Sequence, residues 1–220
     1  MKNIVIFGTG DIARLAHFFF TNDSNKHISA FTVNSEYIKE TEFLGLPVIS
    51  FEKISEVYPP TKFDMFIALG PQNCNEIREN IYNEAKDKGY HLSSYISSRA
   101  DYWKDLKHGD NVLIIQDTSI EPFVEIGNNV TLIGSKIGYN IIIEDNCFIS
   151  TATIGSDVVV KNNAFIGMNS TINPSVIIGA KSIIGSGSII NKDVDDYSVH
   201  VAPATARKSQ VDSRRFNIIH

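Results

Sequence analysis

The sequence predicts an α/β N-terminal Rossmann-like domain followed by a left-handed parallel β-helix of hexapeptide repeats. Three observations predict it. An aliphatic residue returns almost every six positions from Ile114 onward. A second column of small or β-branched residues trails the first by four positions. Before the repeats, strand-like and helix-like segments alternate. The expected division is residues 1–98 for the α/β unit and 99–220 for the coil and its tail.

In chain order, Ile4–Gly8 is an apolar strand running into Gly8-Thr9-Gly10-Asp11, with a helix over Ile12–Phe20. A strand follows at Ile28–Val33, then a helix near Phe51–Val57 and a buried strand at Phe63–Gly70. An amphipathic helix over Cys74–Lys88 and a last strand, His91–Ile96, lead into the coil. Alternation of this kind builds a parallel sheet with helical crossovers.

The coil series runs Ile114, Ile120, Ile126, Leu132, Ile137, Ile143, Ile149, Ile154, Val160, Ile166, Ile172, Ile178, Ile184, Ile190. Neither a helix (3.6) nor a strand (2) has this period. A three-sided prism does: each unit makes one flat side and one corner, and the aliphatic side chains stack inside. The trailing column (Thr118, Val124, Val130, Cys147, Thr153, Val158, Ala164, Ser170 and onward) supplies the small residues a tight corner requires, with Ile141 the exception. The glycines after the aliphatic residue, such as Gly127, Gly138, Gly155, Gly167, Gly179 and Gly185, are expected at positive φ. A β-sandwich is the alternative, but its turn signals come every 8–12 residues.

Composition narrows the function. The net charge of −5 disfavours a nucleic-acid or anionic-membrane partner. Cys74 and Cys147 show no CxxC spacing, so no disulfide framework, zinc knuckle or other metal site is expected, and a reducing cytoplasm is the expected compartment. The run Ile4–Gly8 is too short for a signal-peptide core, and no stretch approaches the ~18 apolar residues of a membrane span.

Gly8-x-Gly10-x-x-Ala13 fits the dinucleotide fingerprint, which alone is a weak signal. A nicotinamide site wants an acid about 20 residues on to hold the ribose, and here Thr32-Val33-Asn34 stands there. Asp11 would also repel a pyrophosphate. Two readings stay open: a tight turn with no ligand, or a site for a nucleotide-linked sugar built from Gly8, Thr9, Gly10, Asp11 and Asn34, with Gly70 and Gln72 on the next loop.

A Rossmann-like unit of this size joined to a hexapeptide coil resembles the bacterial sugar acyltransferases of the PglD/NeuD type. The anchors are Gly8-Thr9-Gly10, Phe66–Gly70 with Asn75-Glu76-Ile77-Arg78, the coil, and Val201-Ala202-Pro203-Ala204. The resemblance implies acetyl-CoA or another acyl-CoA as donor, a nucleotide-linked amino sugar or a related sugar such as a sialic acid as acceptor for surface glycans, and a homotrimer whose seam holds the thioester. It also implies CoA contacts at Ile166-Gly167-Met168, at Gly185-Ser186-Gly187, at Ala202 and Pro203, and at Arg207 and Lys208.

Two departures stand out. By repeat register the family's basic histidine falls at Phe148, with a neighbouring histidine at Tyr139, and no histidine lies between Val112 and Val199. The repeat also shortens to five residues from Leu132 to Ile137 and from Ile149 to Ile154, a spacing that should stack both deletions on one side of the prism. Three readings follow. An amine acceptor could react by orientation alone, with Tyr139, Asn140, Asp145 and Asn146 the polar candidates near the gap; Tyr139, Asn140 and Asn146 are the catalytic candidates. A base could come from His200 or His108. Or the chain could be a sugar-nucleotide-binding scaffold without chemistry.

Overall fold

The computed structural model describes residues 3–204. Arg207 and Lys208, expected to contact CoA, therefore lie outside the described residues.

The N-terminal unit is a five-stranded sheet in the order β3-β4-β2-β1-β5. Its strands are β1 (Asn3–Phe7), β2 (Ile28–Val33), β3 (Glu42–Phe43), β4 (Leu46–Ser50) and β5 (Phe63–Ile67). All pairings are parallel except the β3–β4 hairpin, which the sequence reading missed. Helices α1 (Asp11–Asn22), α2 (Ile54–Val57) and α3 (Glu76–Asp87) complete it. Helix α1 buries Ala13, Ala16, Phe19 and Phe20, one face at helical spacing. The strand expected at His91–Ile96 is divided. Leu92 bridges Met65 of the sheet, whereas Tyr95–Ile96 pairs with Leu113–Ile114 and opens the coil.

The coil is a left-handed prism with three parallel sheets as faces. The first face stacks strands from Tyr95–Ile96 to Val199–His200, the second from Asp101–Tyr102 to Ile189–Ile190, the third from Lys107–His108 to Ile177–Ile178. Every aliphatic residue of the six-step series from Ile114 to Ile190 is buried and belongs to one core cluster. The trailing small column is buried as well, with one correction. At the shortened steps Ser135 and Ala152 take the interior place, and Thr153 faces solvent.

The glycine expectation is corrected too. Gly127, Gly138, Gly155, Gly167, Gly179 and Gly185 are not at positive φ; the left-handed place falls two residues later, at Asn129, Asn140, Asp157 and Asn169 for example. Asparagine and aspartate tolerate that conformation through local hydrogen bonds. The glycines are needed because turns stack closely: a Cβ on Gly155 would meet Pro174 N at 2.7 Å, and one on Gly167 would meet Ser186 N at 2.8 Å.

The two deletions do stack. Leu132 lies beside Ile149 and Ile133 beside Ser150. Thr151 N donates to Ile133 O at 2.6 Å, and Ala152 N to Ser135 Oγ at 3.2 Å. From Ser119 to Phe165 partners are offset by 17 residues, and on both sides of this zone by 18 until the last turn, where Ile183 pairs with Val199.

The α/β unit covers the first face. Tyr95 and Leu113, which point out from that face, join a cluster with Ile4, Phe19, Phe20 and Phe66. Asp23, at the end of α1, accepts bonds from Tyr95 Oη (2.6 Å), Ser98 Oγ (2.5 Å) and Ser98 N (2.9 Å).

Candidate functional site

Helix α3 lies over the edge where the third face turns into the first. Arg78, Ile81 and Ala85 form its buried stripe. Arg78 is fully buried, and its guanidinium reaches into the coil. Nη1 donates to Asn129 O and to Thr131 Oγ1 (3.2 Å); Nη2 donates to Asn146 O (2.7 Å), Cys147 O (3.2 Å) and Asn75 Oδ1 (3.0 Å). Only a forked donor can serve carbonyls on two successive turns, about 4.8 Å apart, at once. Burial lowers its pKa to about 10, still charged at neutral pH.

Along the same edge Asn111, Asn129 and Asn146 form a ladder of side-chain amides at 2.7 and 2.8 Å. Asn111 also exchanges bonds with both backbone groups of Ile67, and Asn75 Nδ2 donates to Asn163 O at 3.0 Å. This polar seam fixes the α/β unit on the coil. The signal for it was visible in the sequence, as a charge at Arg78 in register with the apolar positions Ile81 and Ala85.

Three open regions remain. The first is a crevice of about 420 Å³ on the α/β unit, lined by Thr9, Arg14, Val33, Tyr37, Lys39 and Phe43 among others. Arg14 stands 5.2 Å over the Phe43 ring, and Asn34 Oδ1, at the end of β2, is buried without a hydrogen-bond partner. Thr9 and Asn34 thus lie at the neighbouring ends of β1 and β2. The sequence reading missed Arg14, Tyr37 and Lys39, because the hairpin that frames them carries no motif. Gly8 serves packing: at φ +118°, its added Cβ would sit 2.7 Å from Ala68 O. Gly10 caps α1 without a side-chain bond, and Asp11 occupies its first turn. Gly70 and Gln72 follow β5 on the far side of β1, with the Gln72 side chain folded against Gly70.

The second region is a groove of about 560 Å³ at the last turns, lined by Gly187–Ile190 and Val199–Pro203. It includes Ala202 and Pro203, and lies on the edge between the first and second faces with Gly185 and Ser186. Ile166 points into the core. The amides of Gly167 and Gly185 donate to Ile184 O and His200 O at 2.7 Å. Ser186, Ala202 and Pro203 therefore offer more to a ligand than those two glycines do.

The third region is the edge between the second and third faces. Tyr139 is 53% exposed there, beside Asn140, whose Nδ2 donates to Asp157 Oδ1 at 2.6 Å. Asn146 is elsewhere, buried in the amide ladder beneath Arg78. Asp145 holds Asn128 N at 2.6 Å. Phe148 is buried, 5.8 Å from the Arg78 guanidinium and 6.0 Å from Phe165. Cys147 is buried, and its thiol is pushed up to about 12, so it stays protonated.

The histidines outside the coil body have structural places. His108 pairs with Ile126 and His200 with Ile184, so both stand on the inward column at its two ends. They lie about two turns below and four turns above Tyr139, roughly 10 and 19 Å along the axis. Among the described residues no group of three or more His, Cys, Asp or Glu could hold a metal, and no helix is long and apolar enough to cross a membrane.

The faces, the stacked edges and the left-handed corner residues define a left-handed hexapeptide β-helix. Residues 157–192 match the family model described as bacterial transferase hexapeptide (six repeats). The two-domain fold is shared with several solved structures. One is a histidine-to-asparagine variant of perosamine N-acetyltransferase from Caulobacter crescentus in complex with CoA and GDP-perosamine. It is 21% identical, covers 92% of this chain and 94% of its own, and has a TM-score of 0.83. The acetyltransferase domain of PglB from Neisseria gonorrhoeae FA1090, with acetyl coenzyme A, is 16% identical over 91% of this chain and 96% of its own, at TM-score 0.82. WeeI from Acinetobacter baumannii AYE is 19% identical over 92% and 97%, at TM-score 0.79.

Proposed function

We propose that the chain is an acyl-CoA-dependent N-acyltransferase, with acetyl-CoA as the first donor to test, acting on a nucleotide-linked amino sugar. It works as a homotrimer whose seam joins donor and acceptor. The observation that carries this reading is the placement of the open regions. The groove at Gly187, Ala202 and Pro203 and the polar edge at Tyr139 and Asn140 lie on different edges of one prism, separated by its second face. That face is bare, whereas the first face is covered by the α/β unit. A neighbouring copy set against the bare face puts one chain's donor groove and the other's acceptor edge on one seam, roughly 19 Å apart along the axis.

The crevice at Thr9, Arg14 and Lys39 suits a nucleotide. Arg14 and Lys39 can pair with phosphate, with Glu40 and Glu42 on the same lining left to face hydroxyl groups. The acceptor is an amine, because the coil body provides no imidazole. A neutral amine held beside a thioester attacks without prior deprotonation by the protein, so positioning supplies most of the acceleration. Tyr139 and Asn140 orient it, and solvent takes the proton.

Thiol release from acetyl-CoA in the presence of UDP-, GDP- and dTDP-amino sugars, together with calorimetry of CoA binding, tests this. Release with an amino sugar and none with its hydroxyl counterpart is expected. CoA failing to bind and no thiol appearing with any acceptor would leave a scaffold in place of an enzyme.

A further inference from the structure

Almost every prism edge places asparagine, aspartate or serine at its left-handed residue. Glycines aside, four coil residues depart from this, and three have local contacts that account for them. Thr151 stacks on Gly134 at the paired deletions. Lys181 binds Glu76 at 2.8 Å, and Tyr197 lies 5.8 Å beneath that same ammonium. Phe123 is the fourth. It takes φ +65° and is 79% exposed, so it is costly both in backbone conformation and in apolar exposure. Beside it stands Trp103, the chain's single tryptophan, 62% exposed. The two line a groove of about 290 Å³ that continues to Asn140, next to Tyr139.

The charges in this groove are one-sided. Lys107 is neutralised by Glu125 at 2.6 Å, which leaves Asp105 and Glu121 as the lining's unmatched charges. Glu121 sits directly under the Tyr139 corner: its amide donates to Ile137 O, and Asn140 N donates to Pro122 O at 3.1 Å. Aromatic faces beside carboxylates attract a cation, tryptophan most strongly.

We propose that this groove is a subsite for the protonated amino sugar of the acceptor, with the ring against Phe123 and the ammonium held by Trp103 and Glu121 until it passes to Tyr139 one turn up. The subsite rests on the amine-acceptor reading above and gives it a chemical specificity: a cationic pyranose over a neutral one. Its size, at the small end of ligand pockets, suits a single ring.

Trp103 emission is a built-in reporter. Titration with D-glucosamine should shift it saturably, and N-acetylglucosamine should bind about tenfold more weakly. Glu121→Gln should remove that preference. Phe123→Asn, which restores the usual corner residue, should keep or raise Tm while weakening glucosamine binding at least tenfold. An unchanged Trp103 spectrum up to saturating sugar, or full binding by Phe123→Asn, would overturn the subsite. So would sedimentation showing that Phe123→Asn breaks up the oligomer, since the aromatic pair would then belong to a contact between copies. CoA calorimetry on the same sample separates the two claims. CoA binding without a sugar response removes the subsite alone, and loss of CoA binding removes the transferase reading.

Discussion

Arg78 and Asp23 show how single side chains hold two units together. Replacing Arg78 with methionine strips partners from the carbonyls of Asn129, Asn146 and Cys147, all buried under α3. The expected cost is about 3 kcal/mol or more, the scale for uncovering buried polar groups, and denaturant melting should separate the α/β unit from the coil. The Asp23 carboxyl is held down to about 2 by bonds from Ser98 and Tyr95. A folded-state pKa below the unfolded value gives stability that is complete above about pH 4 and is lost as pH falls toward 2. Solvent screens this partly exposed group, so its worth is about 1 kcal/mol. Asp23→Asn should flatten the acid limb of stability against pH by that amount.

Among the elements, the paired short edges behave as one unit. Inserting one residue between Ile133 and Ser135 would break the bond from Thr151 N to Ile133 O and leave a 17-residue step beside an 18-residue one. The single insertion should lower Tm by several degrees, roughly the effect of 1–2 kcal/mol. A matching insertion between Ser150 and Ala152 should recover most of it. At the other end, Gly8→Ala would force a Cβ against Ala68 O at a φ that suits glycine, and about 2 kcal/mol of destabilisation is expected in urea melts.

The coil was legible because six-residue periodicity is written in aliphatic side chains that have only one place to go. The strand–helix order was legible for the same reason. The β3–β4 hairpin was not, since Glu42–Phe43 and Leu46–Ser50 are short, half-buried and interrupted by Pro47. The glycines were visible but their reason was misread: stacking distance, not φ, demands them. Tyr139 and Asn146, both polar and near the register gap, stand on different edges with the third face between them, although only seven positions separate them in sequence. Corners alternate around the prism, so neighbours in sequence point away from one another.

For the whole molecule, transfer without a coil imidazole has a kinetic signature. The measurement is the pH dependence of thiol release from acetyl-CoA with a nucleotide-linked amino sugar, for the unaltered chain and for His108→Ala and His200→Ala. Direct attack by the neutral amine predicts a rate that climbs about tenfold per pH unit until the sugar ammonium has lost its proton, then levels, identically in all three proteins. A limb that titrates in the imidazole range and vanishes with His200→Ala or His108→Ala would contradict it.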